Sequence, residues 1–324
     1  MIRRTFAVLG MLAVGLVMFV WFSYRHDIAM ARIHSVSGSK IVNTPCGTIE
    51  YADVGSGPAI FAIHGAGGGF DQSLDLAQDL LGPGFRVIAP SRFGYLRTPL
   101  PADASPAAQA DAHACLLDEL KLQKVAVIGG SMGAPSAMQL CLRYPERCSA
   151  LILLIPIAFA PHPANEPAPQ PSAMAKFLMD TTLRSDFAFW VTTKVARDAM
   201  MKTILATPPT DFRNATPEEQ ARVLATLRNI LPISKREKGL RNDAAVAPSV
   251  PRYNLEGITA PTLVISAEDD LFGTFERGRY TADHIPGARF VGYPTGGHLL
   301  VGHRGAVRSE VTAFVKLHDA AENP

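Results

Sequence analysis

Four short segments of this 324-residue chain carry side chains that together could act on an acyl group. The first is Gly129-Gly130-Ser131-Met132-Gly133, a serine set among small residues. Where such a run follows a buried strand and opens a helix, the serine sits in a strained turn and its Oγ stands clear of the backbone. The plain alternative is a glycine-rich turn whose serine caps the helix, since a chain with 26 glycines offers chance matches. The companions decide. A serine nucleophile needs a base, a carboxylate to hold that base, and donors for the developing oxyanion. His298 closes Pro294-Thr295-Gly296-Gly297-His298, directly after an apolar run, and is the candidate base. Its serious rival is His303, five residues on; His26 adjoins the N-terminal apolar run, His113 falls within a helical pattern and His284 precedes the last apolar run. The acid is expected in Ala267-Glu268-Asp269-Asp270, where three carboxylates crowd one turn and spacing does not choose among them. At least one of them reads as a solvated turn residue. The donors expected are the backbone N–H of Met132 and one from the loop His64-Gly65-Ala66-Gly67-Gly68-Gly69, with His64 itself making a structural hydrogen bond.

These loops do chemistry only if the preceding strands end at one edge of a sheet. From Lys40 onward, short β-branched runs alternate with amphipathic stretches, the pattern of strands and crossover helices in a mostly parallel sheet. Residues 40–44 and 48–54 flank Pro45-Cys46-Gly47 and read as an antiparallel hairpin. Runs at 59–64, 86–89, 124–129, 151–155, 262–266 and 289–293 bring the expected strand count to eight. Helices are expected over 72–81, over 106–120 with Ser105 as cap and Pro106 in the first turn, over 132–144, and over 301–320. The fold class is therefore α/β, an eight-stranded sheet wrapped by helices. After the sixth strand the pattern breaks. A proline-rich hinge (Pro161, Pro163, Pro167, Pro169, Pro171) opens a helical stretch containing Met174, Phe177, Phe187, Phe189, Trp190, Met200 and Met201. A segment leaving the sheet and returning before the next strand lies over the sheet's edge, so 161–257 reads as a helical lid between core segments 40–160 and 258–324.

Hydrophobic residues make up 48% of the chain and charged residues 19%, enough apolar material for a large core and more besides. The excess is N-terminal. Thr5 to Tyr24 contains no charge and is preceded by Arg3 and Arg4. As a helix it spans about 30 Å, the thickness of a bilayer's hydrocarbon. Residues 1–24 therefore read as a single membrane anchor, with 25–39 as a linker, the N-terminus inside and the body extracytoplasmic. The competing reading is a signal peptide cleaved near Ala31, after the small-x-small pattern Ala29-Met30-Ala31. A net charge of +2 gives no footprint for nucleic acid. Cys46, Cys115, Cys141 and Cys148 have neither CxxC nor Cys/His metal spacing, so no metal site is expected, and they read as buried thiols with one disulfide open to an exported domain.

Taken together, HGAGGG, GGSMG, SAEDD and GGH resemble the oxyanion loop, nucleophile elbow, acid loop and base loop of the α/β-hydrolase superfamily, over essentially all of residues 40–320. The resemblance implies a Ser131–His298–Asp270 triad, because the family's aspartate sits three residues after a position that Ala267 fills here. It implies Ala66 as the second oxyanion donor, with Gly67 as the fallback, beside Met132. It implies no cofactor and a small-molecule ester or related acyl substrate. The chain departs from the family in its turn after the fourth strand, where Ser91 to Thr98 keeps one glycine of an Asp-x-x-Gly-x-Gly-x-Ser pattern. Other members with this triad are proline iminopeptidases, carbon–carbon bond hydrolases, and haloperoxidases or perhydrolases, and some members sense ligands without turnover.

Overall fold

The computed structural model describes residues 2–161 and 182–320. Eight strands form one sheet: β1 (Ser39–Thr44), β2 (Gly47–Gly55), β3 (Ala59–Ile63), β4 (Arg86–Pro90), β5 (Val125–Gly130), β6 (Cys148–Leu154), β7 (Thr262–Ala267) and β8 (Arg289–Tyr293). Their order is β1-β2-β4-β3-β5-β6-β7-β8. β2 pairs antiparallel with β1 and β4, and every other pair is parallel. The register gathers the carboxyl ends: Ile63 is paired with Gly129, Gly130 with Leu154, and Ala267 with Tyr293. The loops after β3, β5, β7 and β8 thus leave from one edge, where open α/β sheets place their sites.

Residues alternate between the two faces of each strand, so one strand feeds two cores. Phe61 and Ile63 of β3 join a cluster with α3 (Pro106–Glu119), α4 (Ala134–Arg143) and α10 (Thr274–His284), while Ile60 and Ala62 join α2 (Phe70–Leu81) and α11 (Arg304–Ala320) on the other side. The Ser105 hydroxyl accepts from the Ala108 N–H at 3.2 Å with Pro106 in the first turn, as expected from its type and place.

Between β6 and β7 the described residues form α5 (Asp186–Val195), α6 (Arg197–Thr203), α7 (Pro209–Asn214), α8 (Pro217–Arg228) and α9 (Glu237–Val246). These helices share a separate cluster containing Phe189, Trp190, Met200, Met201, Phe212, Val223 and Leu227. The hinge prolines Pro163, Pro167, Pro169 and Pro171, with Met174 and Phe177, lie outside the described residues.

Three expectations are corrected. The segment 25–39 is not a linker: α1 runs unbroken over Ile2–His34, and β1 begins at Ser39. Arg25 to His34 contain no proline or glycine to end a helix that is already nucleated. Second, the cysteines are not thiols. Cys46 pairs with Cys115 and Cys141 with Cys148, at Cα separations of 6.1 and 5.4 Å. The first bridge ties the β1–β2 turn to α3 across 69 residues, a pairing that spacing does not encode. Third, α10 is an element that periodicity misses. It faces the sheet with Thr274, Phe275, Gly278, Thr281 and Ala282, a face on which Phe275 alone is large and the rest carry little apolar signal. A Cβ on Gly278 would lie 3.3 Å from Val264 and 3.4 Å from Phe290, so the small residue lets the helix approach the sheet closely.

Candidate active site

Ser131 follows β5 and opens a 3₁₀ turn, Ser131–Gly133, ahead of α4. Its φ is +48°, a left-handed conformation that costs a side-chain-bearing residue about 1–2 kcal/mol. Strain of this kind turns the side chain away from both strand and helix. The glycines around it answer to crowding. A Cβ on Gly133 would stand 2.4 Å from the Ile63 carbonyl oxygen, and one on Gly129 2.7 Å from the Ala137 Cβ. Gly130 is under no such pressure, its nearest neighbour in that direction being Leu76 at 3.4 Å.

His298 lies on the loop after β8, with Nε2 2.9 Å from the Ser131 Oγ and Nδ1 2.8 Å from Asp270 Oδ2. All three side chains are buried. Asp270 is held in turn by the Phe272 N–H, which donates to Oδ1 at 2.8 Å, and by the Thr274 hydroxyl, which donates to Oδ2. The Phe272 ring meets the imidazole edge-on at 4.9 Å and shields that side of it. The rival His303 is elsewhere, stacked on Tyr293 at 4.3 Å.

Glu268 is exposed, as a solvated turn residue is. Asp269 is not the second such residue. Its carboxylate accepts from the Gly297 N–H at 2.8 Å and the Gly296 N–H at 3.2 Å, pinning the loop that carries His298. Asp211 of α7 accepts from the same Gly296 N–H at 3.0 Å. Burial, and then the hydrogen bond with Asp211, raise the Asp269 carboxyl above the ordinary carboxylate range. Adjacent carboxylates thus divide the work, Asp270 on the imidazole and Asp269 on the backbone behind it. The inserted segment adds the Ala206 carbonyl, which accepts from Leu271 N–H at 3.0 Å and His298 N–H at 3.3 Å.

The loop after β3 lies against the serine, close enough that a Cβ on Gly65 would be 3.0 Å from the Ser131 Cβ. Its N–H groups are unequally free. Gly65 N–H donates to Gln72 Oε1 at 3.0 Å and Gly67 N–H to the Tyr95 hydroxyl at 3.3 Å. Ala66 N–H has no partner among the described residues. Of Ala66 and Gly67, the first is therefore the available donor.

His64 is wholly buried and spans the base of this loop. The Arg92 backbone N–H donates to Nε2 at 2.9 Å, so Nδ1 carries the proton and donates to the Gly65 carbonyl at 2.7 Å. Burial, with the Arg92 charge nearby, holds its pKa well below the ordinary histidine value, so it stays neutral in a structural role. His113 is packed edge-on against Phe61, and burial lowers its pKa to about 3.

Two further groups under the loop come from the inserted segment, and their sequence context gives no sign of it. Asp243 of α9 forms a bidentate pair with Arg92 at 2.6 and 2.9 Å and accepts from the Tyr95 hydroxyl at 2.5 Å. Arg92 also donates to the Gly65 carbonyl at 3.2 Å. Arg236, fully buried, pairs with Asp71 at 2.6 Å and donates to the Gly68 carbonyl at 2.6 Å. Removing one member of a buried pair leaves the other charge uncompensated. Asp243→Ala is therefore expected to destabilise the fold by about 3–5 kcal/mol, read as a lower denaturant midpoint. A midpoint unchanged from the parent chain would mean that solvent compensates Arg92.

The alpha/beta hydrolase fold family matches over residues 58–302. A curated relative, the uncharacterized hydrolase YcgS of Bacillus subtilis, is 24% identical over 262 residues, covering 78% of this chain and 89% of its own. The 2-hydroxy-6-oxo-6-phenylhexa-2,4-dienoate hydrolase of Burkholderia cepacia is 25% identical over 263 residues, covering 77% and 84%. Among solved structures, an alpha/beta hydrolase fold protein from Nakamurella multipartita superposes with a TM-score of 0.66 at 27% identity, over 86% of this chain and 98% of its own.

Proposed function

Because the chain belongs to the alpha/beta hydrolase fold family, we propose that it is a serine hydrolase cleaving a carboxylic ester, or a related acyl compound, through an acyl-enzyme. The observation that carries the reading is the buried relay from Ser131 Oγ to His298 Nε2 at 2.9 Å and from His298 Nδ1 to Asp270 at 2.8 Å. As Ser131 Oγ bonds to the ester carbonyl carbon, its proton passes to Nε2. Asp270 holds the Nδ1–H tautomer and stabilises the imidazolium. The carbonyl oxygen becomes an oxyanion and takes hydrogen bonds from the Met132 and Ala66 N–H groups, whose dipoles are in place before the reaction starts. The imidazolium returns its proton to the leaving alcohol as the C–O bond breaks. Water then attacks the acyl-enzyme with His298 again as base, releasing the acid and free Ser131.

Labelling with a serine-reactive phosphonate, followed by a chain-length series of nitrophenyl esters, tests this reading. Stoichiometric labelling with no turnover of any ester would overturn it. Carbon–carbon bond hydrolysis is the second reading, supported by the relative named as a dienoate hydrolase. Gly130 stands where that branch has an asparagine before the serine. A vinylogous diketone cleaved faster than every ester would move the assignment there.

The reading extends to location. α1 holds an apolar stretch long enough to cross a bilayer, and we assign it as an uncleaved anchor. The two disulfides support an extracytoplasmic body, since such bonds persist in oxidising compartments. Membranes washed in alkaline carbonate are expected to retain the full chain. Recovery of a soluble form beginning at Arg32 would overturn the anchor, and protease shaving of spheroplasts that spared the body would overturn its orientation.

A further inference from the structure

α1 does not stop where its uncharged run stops. The helix passes Tyr24 without a break, and its next turns are pressed against α5 of the inserted segment. The Tyr24 ring meets Phe187 and Trp190 edge-on, with centroids 5.1 and 5.7 Å apart. The Asp27 carboxylate accepts from Trp190 Nε1 at 2.8 Å and from Lys194 Nζ at 3.1 Å. Ile28 is buried in the apolar cluster of the inserted helices, and Arg32 lies 3.9 Å from Asp186. At about 1.5 Å per residue, Asp27 sits about 4.5 Å along the axis from Tyr24. No slack chain separates the end of the apolar run from the body.

α5 presents two apolar faces. Phe189 and Trp190 turn inward. Phe187, Val191 and Val195, spaced i, i+4 and i+8, lie along a second stripe, open at its two ends and packed partly against the inner cluster at Val191. Among the described residues, Phe187 stays 43% exposed beside the Tyr24 and Trp190 rings, and Val195 78%. Singly exposed apolar residues are ordinary on a protein surface. This stripe differs in its place, because its first residue touches Tyr24, the last residue of the uncharged run. Cations accompany it: Lys194 lies on the same helix, and the Arg25 guanidinium sits over the Trp21 ring at 5.4 Å. Aromatic, apolar and cationic side chains at the level where a span ends are the composition of a bilayer interface.

We propose that α5 lies in the headgroup layer of the bilayer that α1 enters, so that the body is docked on the lipid surface through its inserted helices. The proposal rests on the reading of α1 as an anchor. The lipid surface is the occupant because α1 carries α5 to it directly. The inserted segment also supplies the Ala206 carbonyl to the loops holding Asp270 and His298, so the docked face and the candidate site belong to one packed unit.

Single tryptophans test it, since the chain has two of its own, Trp21 and the inward-facing Trp190. The full chain is reconstituted in phosphatidylcholine vesicles whose acyl chains carry bromine, a short-range quencher, near the headgroup. Trp190→Phe leaves Trp21 to report insertion, and Val195→Trp combined with Trp21→Phe and Trp190→Phe reports docking from the exposed end of the stripe. Both are expected to lose emission relative to unbrominated vesicles. Trp21 quenched with the residue-195 reporter unquenched would overturn the docking and leave the anchor standing, whereas neither quenched would overturn both.

Discussion

Ser131→Ala is expected to lower ester turnover by roughly 10⁴- to 10⁶-fold and to abolish phosphonate labelling, while the unfolding midpoint stays where it was. The size follows from what is lost. Without Oγ there is no nucleophile for the carbonyl carbon, and His298 Nε2 loses the proton donor 2.9 Å away. What survives is whatever the N–H donors and substrate binding supply to a water attack. The fold should tolerate the change, because the left-handed backbone at position 131 is imposed by β5 and α4 and suits alanine as well as serine. Comparable turnover by parent and variant, from preparations free of contaminating esterase, would remove Ser131 from the mechanism.

Asp270→Asn is expected to cost roughly 10⁴-fold, by the tautomer argument established in serine proteases. The carboxylate has no hydrogen-bond donor of its own and accepts from Phe272 N–H, the Thr274 hydroxyl and the imidazole at once. An amide offers one oxygen in place of two, and its NH₂ must face a donor. The imidazole then either loses its partner or flips its tautomer and presents Nε2–H to the serine, which cannot deprotonate it. Asp269→Asn is a different lesion. It keeps an oxygen for Gly297 N–H and gives up the weaker bond to Gly296. The expected loss is about tenfold or less, the worth of one hydrogen bond. Parallel kcat/KM measurements on the two variants decide the matter, and equal losses would mean that the carboxylates act as one unit.

Eight strands, their order along the chain and the hairpin at the start were legible because buried parallel strands are short, continuous apolar runs. The loops that bring Ser131 and His298 within 2.9 Å were legible for a related reason: glycines cluster where backbone must pass close to backbone. The acid loop was legible only in part. Three adjacent carboxylates look alike on paper, and their difference lies in which backbone N–H groups fold back to meet them from Phe272, Gly296 and Gly297. α10 was hidden because its buried face, Phe275 apart, is made of threonine, glycine and alanine. Asp243 and Arg236 were hidden more deeply. Asp243 sits on a polar helix and Arg236 in the turn before it, and each meets its partner from over 150 residues away, so local pattern carries no trace of the pairing.

Those two pairs bear on how this chain could be re-engineered. Inserted segments over an α/β core invite exchange, as though substrate preference could be grafted from one relative to another. Here a graft would carry off the counter-charge of Arg92 and the counter-charge of Asp71 together, leaving an orphan cation and an orphan anion at the floor of the loop that bears Ala66. A chimera that kept only the helices' outer contours would inherit a collapsed or open loop. One that transplanted Arg236 and Asp243 with the new segment, or replaced both partners below by apolar residues of similar volume, would keep the floor intact.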